Sequence, residues 1–243
     1  MGTGDRGDDE SDSSQPDRRS VRATYDRIAD HFASTREYAW PEVESFVDER
    51  AAALESGVGD GDGAEPAVGL DLGCGNCRHA ELLAADCETV VGLDASRGLL
   101  ETGRERGRER GFDVTLCQGD ASSLPLAADC VDIAVYVATL HHLPTREVRR
   151  ASLNELARVL SPDGRALVSA WSTAHDRFDA DPEAAGGFDT TVEWTLPGGE
   201  AVDRFYHIYA PAEFEADLAA SDLDLLEWEV SSGNCYAHVA GLE

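Results

Sequence analysis

The sequence predicts an α/β fold: a mostly parallel sheet with helices on both faces, ending in an antiparallel hairpin. Three observations lead there. Short apolar runs alternate with helical stretches between residues 67 and 171, the rhythm of βαβ units whose crossover helices pack on both faces of parallel strands. The first run ends in Asp71-Leu72-Gly73-Cys74-Gly75, where glycines let the backbone turn sharply and approach a ligand closely. The last two runs, 223–230 and 235–240, flank Ser231-Ser232-Gly233-Asn234, a hairpin signal.

Taken in order, residues 1–18 are rich in Gly, Asp and Ser without apolar periodicity and read as a disordered acidic tail. The folded domain is therefore expected over 19–243. Ser20 is placed to cap a helix over 21–34, with Tyr25, Ile28, Ala29 and Phe32 on one face. Pro41 suits a first helical position and opens a helix over about 42–55; 57–66 is a Gly/Asp loop. Strands follow over 67–71, 89–94, 114–117, 131–137 and 166–171. Helices fall over 78–85, 96–110 and 146–160, and Ser161-Pro162-Asp163-Gly164 is a turn. Residues 172–200, rich in Gly, Pro and Asp, look like an insertion of the length that often forms a lid. Arg204 to Tyr209 is aromatic-rich, 212–220 is helical, and the hairpin closes the chain. Five strands and two hairpin strands make seven. Two antiparallel strands ending a parallel, Rossmann-like sheet are the mark of the class I methyltransferase architecture.

Composition sets the chemistry's surroundings. Asp and Glu number 48 against 20 basic residues, a formal net charge of -28, and every basic residue is Arg. The acids are scattered, which suits a surface adapted to molar salt, where the Debye length is about 3 Å. At low salt such a charge opposes phosphate binding; at high salt local Arg clusters matter more. No apolar run of about 18 residues and no signal peptide occurs, so a cytoplasmic chain with reduced thiols is expected and no membrane span. Cys74-x2-Cys77 has zinc-like spacing, but no second Cys or His pair accompanies it, so no metal site is expected.

The cofactor residues form a constellation. The loop carrying Gly73, Cys74 and Gly75 starts a helix behind a ligand, and Asp71 could hold a cationic amino group directly or through water. Asp94, ending the Val90-Val91-Gly92-Leu93 run, can accept both hydroxyls of a ribose or simply cap a helix before Ser96. Asp120 can accept from an adenine amino group while Ala121 donates its backbone N–H. Val137 leads into Ala138-Thr139-Leu140-His141-His142 at the carboxyl end of a central strand, where open α/β sheets bind ligands. A dinucleotide loop would want a further Gly near Arg78, and none is there. The set favours S-adenosylmethionine over NAD.

On these and further segments the sequence resembles one family closely, the tRNA wobble-uridine carboxymethyl methyltransferases. The segments are Tyr25-Asp26-Arg27-Ile28-Ala29-Asp30-His31-Phe32, Thr35-Arg36 with Trp40-Pro41, His141-His142 with Thr145-Arg146, Arg204-Phe205-Tyr206-His207-Ile208-Tyr209, and Gly233-Asn234. The resemblance implies methyl esterification of the carboxylate of 5-carboxymethyluridine in the anticodon loop. It nominates Arg36 and Arg204 as carboxylate grips, His142 and His207 as hydrogen-bond partners, and Tyr25 as closing the cofactor pocket. A carboxylate is already ionised at neutral pH, so alignment replaces a general base, and Arg suits the grip. Arg204 and His207 stand three apart, so on a strand only one would reach the pocket. Arg36 could instead cover a helix end, and His141 could be a satisfied core histidine. The family's loop carries Gly where Cys77 stands here.

The resemblance also implies a small zinc-binding activator subunit. Residues Phe112 to Cys117 should form an edge strand, which invites strand addition by a partner. Arg146, Arg149 and Arg150 lie at helical spacing, able to meet tRNA phosphates or to form a solvated face. The Arg/Glu run over 104–110 reads as surface ion pairing. Two other readings stay open: a small-molecule methyltransferase acting on a quinone-like precursor, and a non-catalytic cofactor-binding partner.

Overall fold

A computed structural model describes residues 17–56, 67–181 and 184–242. The tail over 1–16 and the loop over 57–66 lie outside the described residues. Helix α1 (Arg18–Ser34) begins earlier than expected because Asp17, not Ser20, is its cap: the Asp17 carboxylate accepts the Ser20 N–H at 2.8 Å. Ser20 therefore sits in the first turn, and residues 17 and 18 belong to the folded domain. Helix α2 (Pro41–Ser56) starts on its proline.

Among the described residues seven strands form the main sheet: β1 (Val68–Leu72), β2 (Thr89–Asp94), β3 (Thr115–Gln118), β4 (Val131–Val137), β5 (Leu160–Trp171), β8 (Leu223–Ser231) and β9 (Asn234–Gly241). Helices α3 (Ala80–Asp86), α4 (Arg97–Arg110) and α5 (Arg146–Val159) connect the first five. The order across the sheet is β3-β2-β1-β4-β5-β9-β8. Pairs from β3 to β5 are parallel; β5–β9 and β9–β8 are antiparallel. β3 is thus an edge strand. The expected turn at 161–164 is an outpocketing of β5: Val131 pairs with Leu160 and Ile133 with Arg165, so the intervening residues bulge from the ladder.

Period two sorts the sheet's faces. Ala134 and Tyr136 of β4 pack with Leu153, Leu156, Phe214 and Leu218 under α5 and α6 (Pro211–Ala219). Ile133, Val135 and Val137 point the other way, onto Val43, Phe46, Leu83 and Leu100 from α2, α3 and α4. Strand β8 (Leu223–Ser231) turns into β9 (Asn234–Gly241) through Ser232 and Gly233, at φ 50 and 78, a two-residue turn with both residues left-handed.

The insertion is not a structureless lid. It contributes β6 (Phe188–Thr195), paired antiparallel with β7 (Ala201–Ile208) in a separate two-stranded sheet. Trp194, Leu196 and Val202 pack on Tyr25, Ile28 and Phe32 of α1. α1 and this hairpin stand together over the carboxyl ends of the parallel strands.

Candidate active site

β1 runs into the loop, where the Gly73 and Cys74 N–H groups donate to the Leu93 carbonyl at 2.7 and 3.0 Å. Gly73 has φ +77, and a Cβ there would lie 2.1 Å from Thr139 Oγ1. Gly75 has φ +53, and its missing Cβ would meet no heavy atom within 4 Å. Its N–H donates to Asp94 at 2.9 Å. Asn76 Nδ2 donates to the Arg36 carbonyl at 2.8 Å, tying the loop to the segment after α1. Cys77 also takes a left-handed φ, 62, yet is fully buried. Its sulfur turns away from the cavity toward α4, where a Cβ on Gly103 would come within 2.5 Å of it.

Above the loop lies a cavity lined by Tyr25, Gly73, Cys74, Gly75, Asp94 and Asp120 with Ala121, Val137 and His142. Its open space at Gly75 and carboxylates at two strand ends fit a nucleoside-bearing cation such as S-adenosylmethionine. Asp94 also accepts the Ser96 N–H at 2.8 Å, and burial raises its pKa to about 6. Asp120 Oδ2 accepts from Arg18 at 2.6 Å, and its other oxygen accepts from Ser122.

Asp71 is not brought to the cavity. It is buried behind the loop and accepts the Ala80 N–H at 2.9 Å, near His79, as the opening of α3 requires. Burial pushes its pKa from 3.8 to about 7, so the native state keeps a proton that the unfolded chain releases. The resulting stabilisation is complete below pH 3.8 and is lost as pH rises to about 7. Asp71→Asn keeps an acceptor for Ala80 and removes this titration. It is expected to gain on the order of 3 kcal/mol over the wild type between about pH 5 and pH 8, read from urea unfolding at the two values.

The second half of the site faces α1 from the β6–β7 hairpin. Antiparallel pairing sets Val192 opposite Arg204 and Trp194 opposite Val202, with Tyr206 on the same face. Arg204 is buried, its guanidinium over the Trp194 ring at 4.8 Å and its Nη1 donating to the Tyr206 hydroxyl at 2.7 Å. Its Nε has no partner, and among the described residues no carboxylate lies within ion-pair distance of it. Arg36 stands over the same Trp194 ring at 5.5 Å and over Phe32 at 5.1 Å. Its pKa is lowered by burial and by the neighbouring Arg204 charge. Among the described residues its side chain donates only to Thr35.

His142 bridges the two halves. Its Nδ1 lies 2.9 Å from the Phe205 carbonyl, which can only accept, so Nδ1 carries the proton. Burial lowers its pKa to about 3, leaving Nε2 bare to accept from the Tyr25 hydroxyl at 2.7 Å. His141 is a core residue: buried, accepting the Trp171 N–H at 3.0 Å and stacked on Tyr206.

His207 is not brought to the pocket. It occupies the opposite face of β7 and lies between Asp189 at 2.7 Å and Glu213 at 3.1 Å. Arg149 is buried against Glu213 and Tyr209, while Arg146 and Arg150 pair with the buried Asp217 of α6. These three arginines bind α5 to α6 rather than forming a phosphate face. In the 104–110 run, Arg106 and Arg110 reach across to Glu81, and Arg110 also to Glu37.

Sequence reasoning missed Trp194, Tyr206 and Arg78. Thr190, Val192 and Trp194 alternate with polar residues, a strand signal inside the supposed lid. Tyr206 follows Arg204 by two, which on a strand means the same face. Arg78 lines the cavity over Trp40 at 5.2 Å, its pKa lowered to about 10 by burial and by Arg36.

Residues 70–168 match the family described as a methyltransferase domain. A tRNA (carboxymethyluridine(34)-5-O)-methyltransferase of Xenopus tropicalis is 35% identical over 156 residues, 64% of this chain and 22% of that protein. The chain spans 20% to 34% of the length of four relatives with that name. A protein of Encephalitozoon cuniculi, named as a methyltransferase without a substrate, is 30% identical over 200 residues, 82% of this chain and 84% of that one. Among solved structures, an S-adenosylmethionine-dependent methyltransferase of Clostridium acetobutylicum shares the fold at TM-score 0.65 and 14% identity, covering 90% of this chain and 99% of that chain. So does a chain from the complex of the Haloferax volcanii Trm112 methyltransferase activator with its methyltransferase, at TM-score 0.58 and 15% identity, covering 92% and 98%.

Proposed function

Because the chain belongs to the class I S-adenosylmethionine-dependent methyltransferases, we propose that it methyl-esterifies the carboxylate of 5-carboxymethyluridine at the tRNA wobble position. The observation that carries this reading is Arg204, a buried guanidinium without a carboxylate partner among the described residues. An uncompensated buried charge costs several kcal/mol, and an anionic ligand offsets that cost. Arg36, on the same Trp194 ring, supplies the second arm of the grip. The tRNA-named relatives support the same substrate.

When bound, S-adenosylmethionine supplies an electrophilic methyl group. Gly73, Cys74, Gly75, Asp94, Asp120, Ala121 and Val137 would hold it, Tyr25 would close over it, and Arg78 offers a cation for its carboxylate end. The substrate carboxylate needs no base, and both nitrogens of neutral His142 are already engaged. This favours a carboxylate over a nucleophile that must lose a proton. The work left to Arg36 and Arg204 is to hold one carboxylate oxygen in line with the cavity.

The edge strand β3 is the proposed seat of a small zinc-binding activator subunit. Val114 and Leu116 turn to one face of it and Cys117 to the other. The Haloferax complex pairs a similar fold with the Trm112 methyltransferase activator, which supports this reading. Among the described residues no helix is long and apolar enough to cross a membrane, and a cytoplasmic, halophilic setting fits the charge of -28.

Tritium transfer from labelled cofactor in molar KCl tests the reading, with and without the activator. Label is expected on tRNA carrying carboxymethyluridine and not on unmodified tRNA. Label on a quinone-like metabolite instead, or on both tRNAs equally, overturns it.

A further inference from the structure

We infer that Tyr206 is a positioning residue for the transfer: its phenol fixes the Arg204 guanidinium, and with it the carboxylate that Arg204 grips. This rests on the carboxylate reading above.

The hydrogen-bond donors in the site all point one way. Arg204 can only donate, so the Tyr206 oxygen accepts at 2.7 Å. The Phe205 carbonyl can only accept, so His142 donates from Nδ1 and receives the Tyr25 proton at Nε2. Arg204 thus donates to Tyr206, and Tyr25 donates to His142, which ends on the backbone of β7; the Tyr206 ring meets the His142 ring edge-on at 4.4 Å. Tyr25 and His142 line the cofactor cavity, while Arg204 and Tyr206 lie outside its lining. Tyr206 therefore stands where the grip meets the cofactor wall.

Its ring is also held. Tyr206 stacks on His141 and on Trp171, each at 4.9 Å with interplanar angles of 25° and 26°, and meets His142 edge-on at 4.4 Å. A buried ring in contact with three others holds its hydroxyl in place. Arg204 has Trp194 on one side, the Tyr206 ring at 5.2 Å, and the Tyr206 hydroxyl as its hydrogen-bond stop. Among the described residues its Nε is unpartnered.

Tyr206→Phe keeps the stacked ring and removes only the stop. Single-turnover transfer to tRNA carrying carboxymethyluridine is expected to slow about tenfold, with the cofactor Kd within about twofold of wild type. In the Arg204→Ala background the same change should have no further effect, since Tyr206 acts through Arg204. A residue serving only the fold would weaken cofactor binding as well and would multiply with Arg204→Ala. Either of those results, or unchanged transfer by Tyr206→Phe, overturns the inference while leaving the substrate reading intact. Absence of transfer by the wild-type protein overturns both.

Discussion

Arg204→Met is expected to cut methyl transfer about 10³-fold while leaving the cofactor Kd nearly unchanged and raising the melting temperature. The three readouts follow from one fact, that the guanidinium is buried without a counterion among the described residues. Methionine fills similar volume with no charge to desolvate, and replacing buried ionic groups by apolar ones commonly gains about 1–4 kcal/mol. Function is lost because the substrate carboxylate loses the arm that sets its angle. The cofactor is spared because Arg204 does not line its cavity. Arg36→Ala should cost less, about tenfold, because that side chain is only partly buried and is the outer arm. Thermal unfolding and single-turnover transfer on the same preparations decide the matter. A destabilised Arg204→Met variant would show that the guanidinium has a counterion after all.

Gly73→Ala is expected to abolish cofactor binding and to destabilise the protein by about 2–5 kcal/mol. Its methyl group would sit 2.1 Å from Thr139 Oγ1 at a φ of +77. Neither side can yield easily: Thr139 follows β4, and Gly73 is pinned by its N–H to Leu93. Gly75→Ala gives the contrast. Its φ is +53 but its Cβ meets nothing, so stability should fall by only about 1 kcal/mol. Affinity should still suffer, because the added methyl enters the space meant for the cofactor. Isothermal titration with S-adenosylhomocysteine, beside urea unfolding, separates the two. Equal stability losses at both glycines would contradict the crowding assigned to Gly73.

The parallel sheet was readable because its strands are short, apolar and bounded by glycine or acid. The bounds of β2 and β4 match the expected ones residue for residue. The cavity's lining was readable where a residue's place depends on its own strand end, as with Asp94, Asp120 and His142. It was not readable where the role depends on what another segment brings. Asp71 has the same local context as a ligand acid, but Ala80 takes its carboxylate. Helical spacing aligned Arg146, Arg149 and Arg150 correctly, yet their acids come from α6, more than sixty residues later. His207 failed for a local reason: period two gives Arg204 and Tyr206 one face and leaves His207 the other. β6 was hidden by the Gly, Pro and Asp around it.

Cys77 stands where the resembled family carries glycine, and the structure shows what its side chain requires. The sulfur fills the space that a side chain at position 103 would need. The two positions are therefore epistatic. A lineage can acquire a side chain at 77 only while 103 is glycine, and once it has done so, 103 can no longer change. The order of substitutions is constrained even though the residues lie in separate elements. Restoring glycine at 77 would reopen position 103 to alanine, a reversal that neither change made singly would reveal.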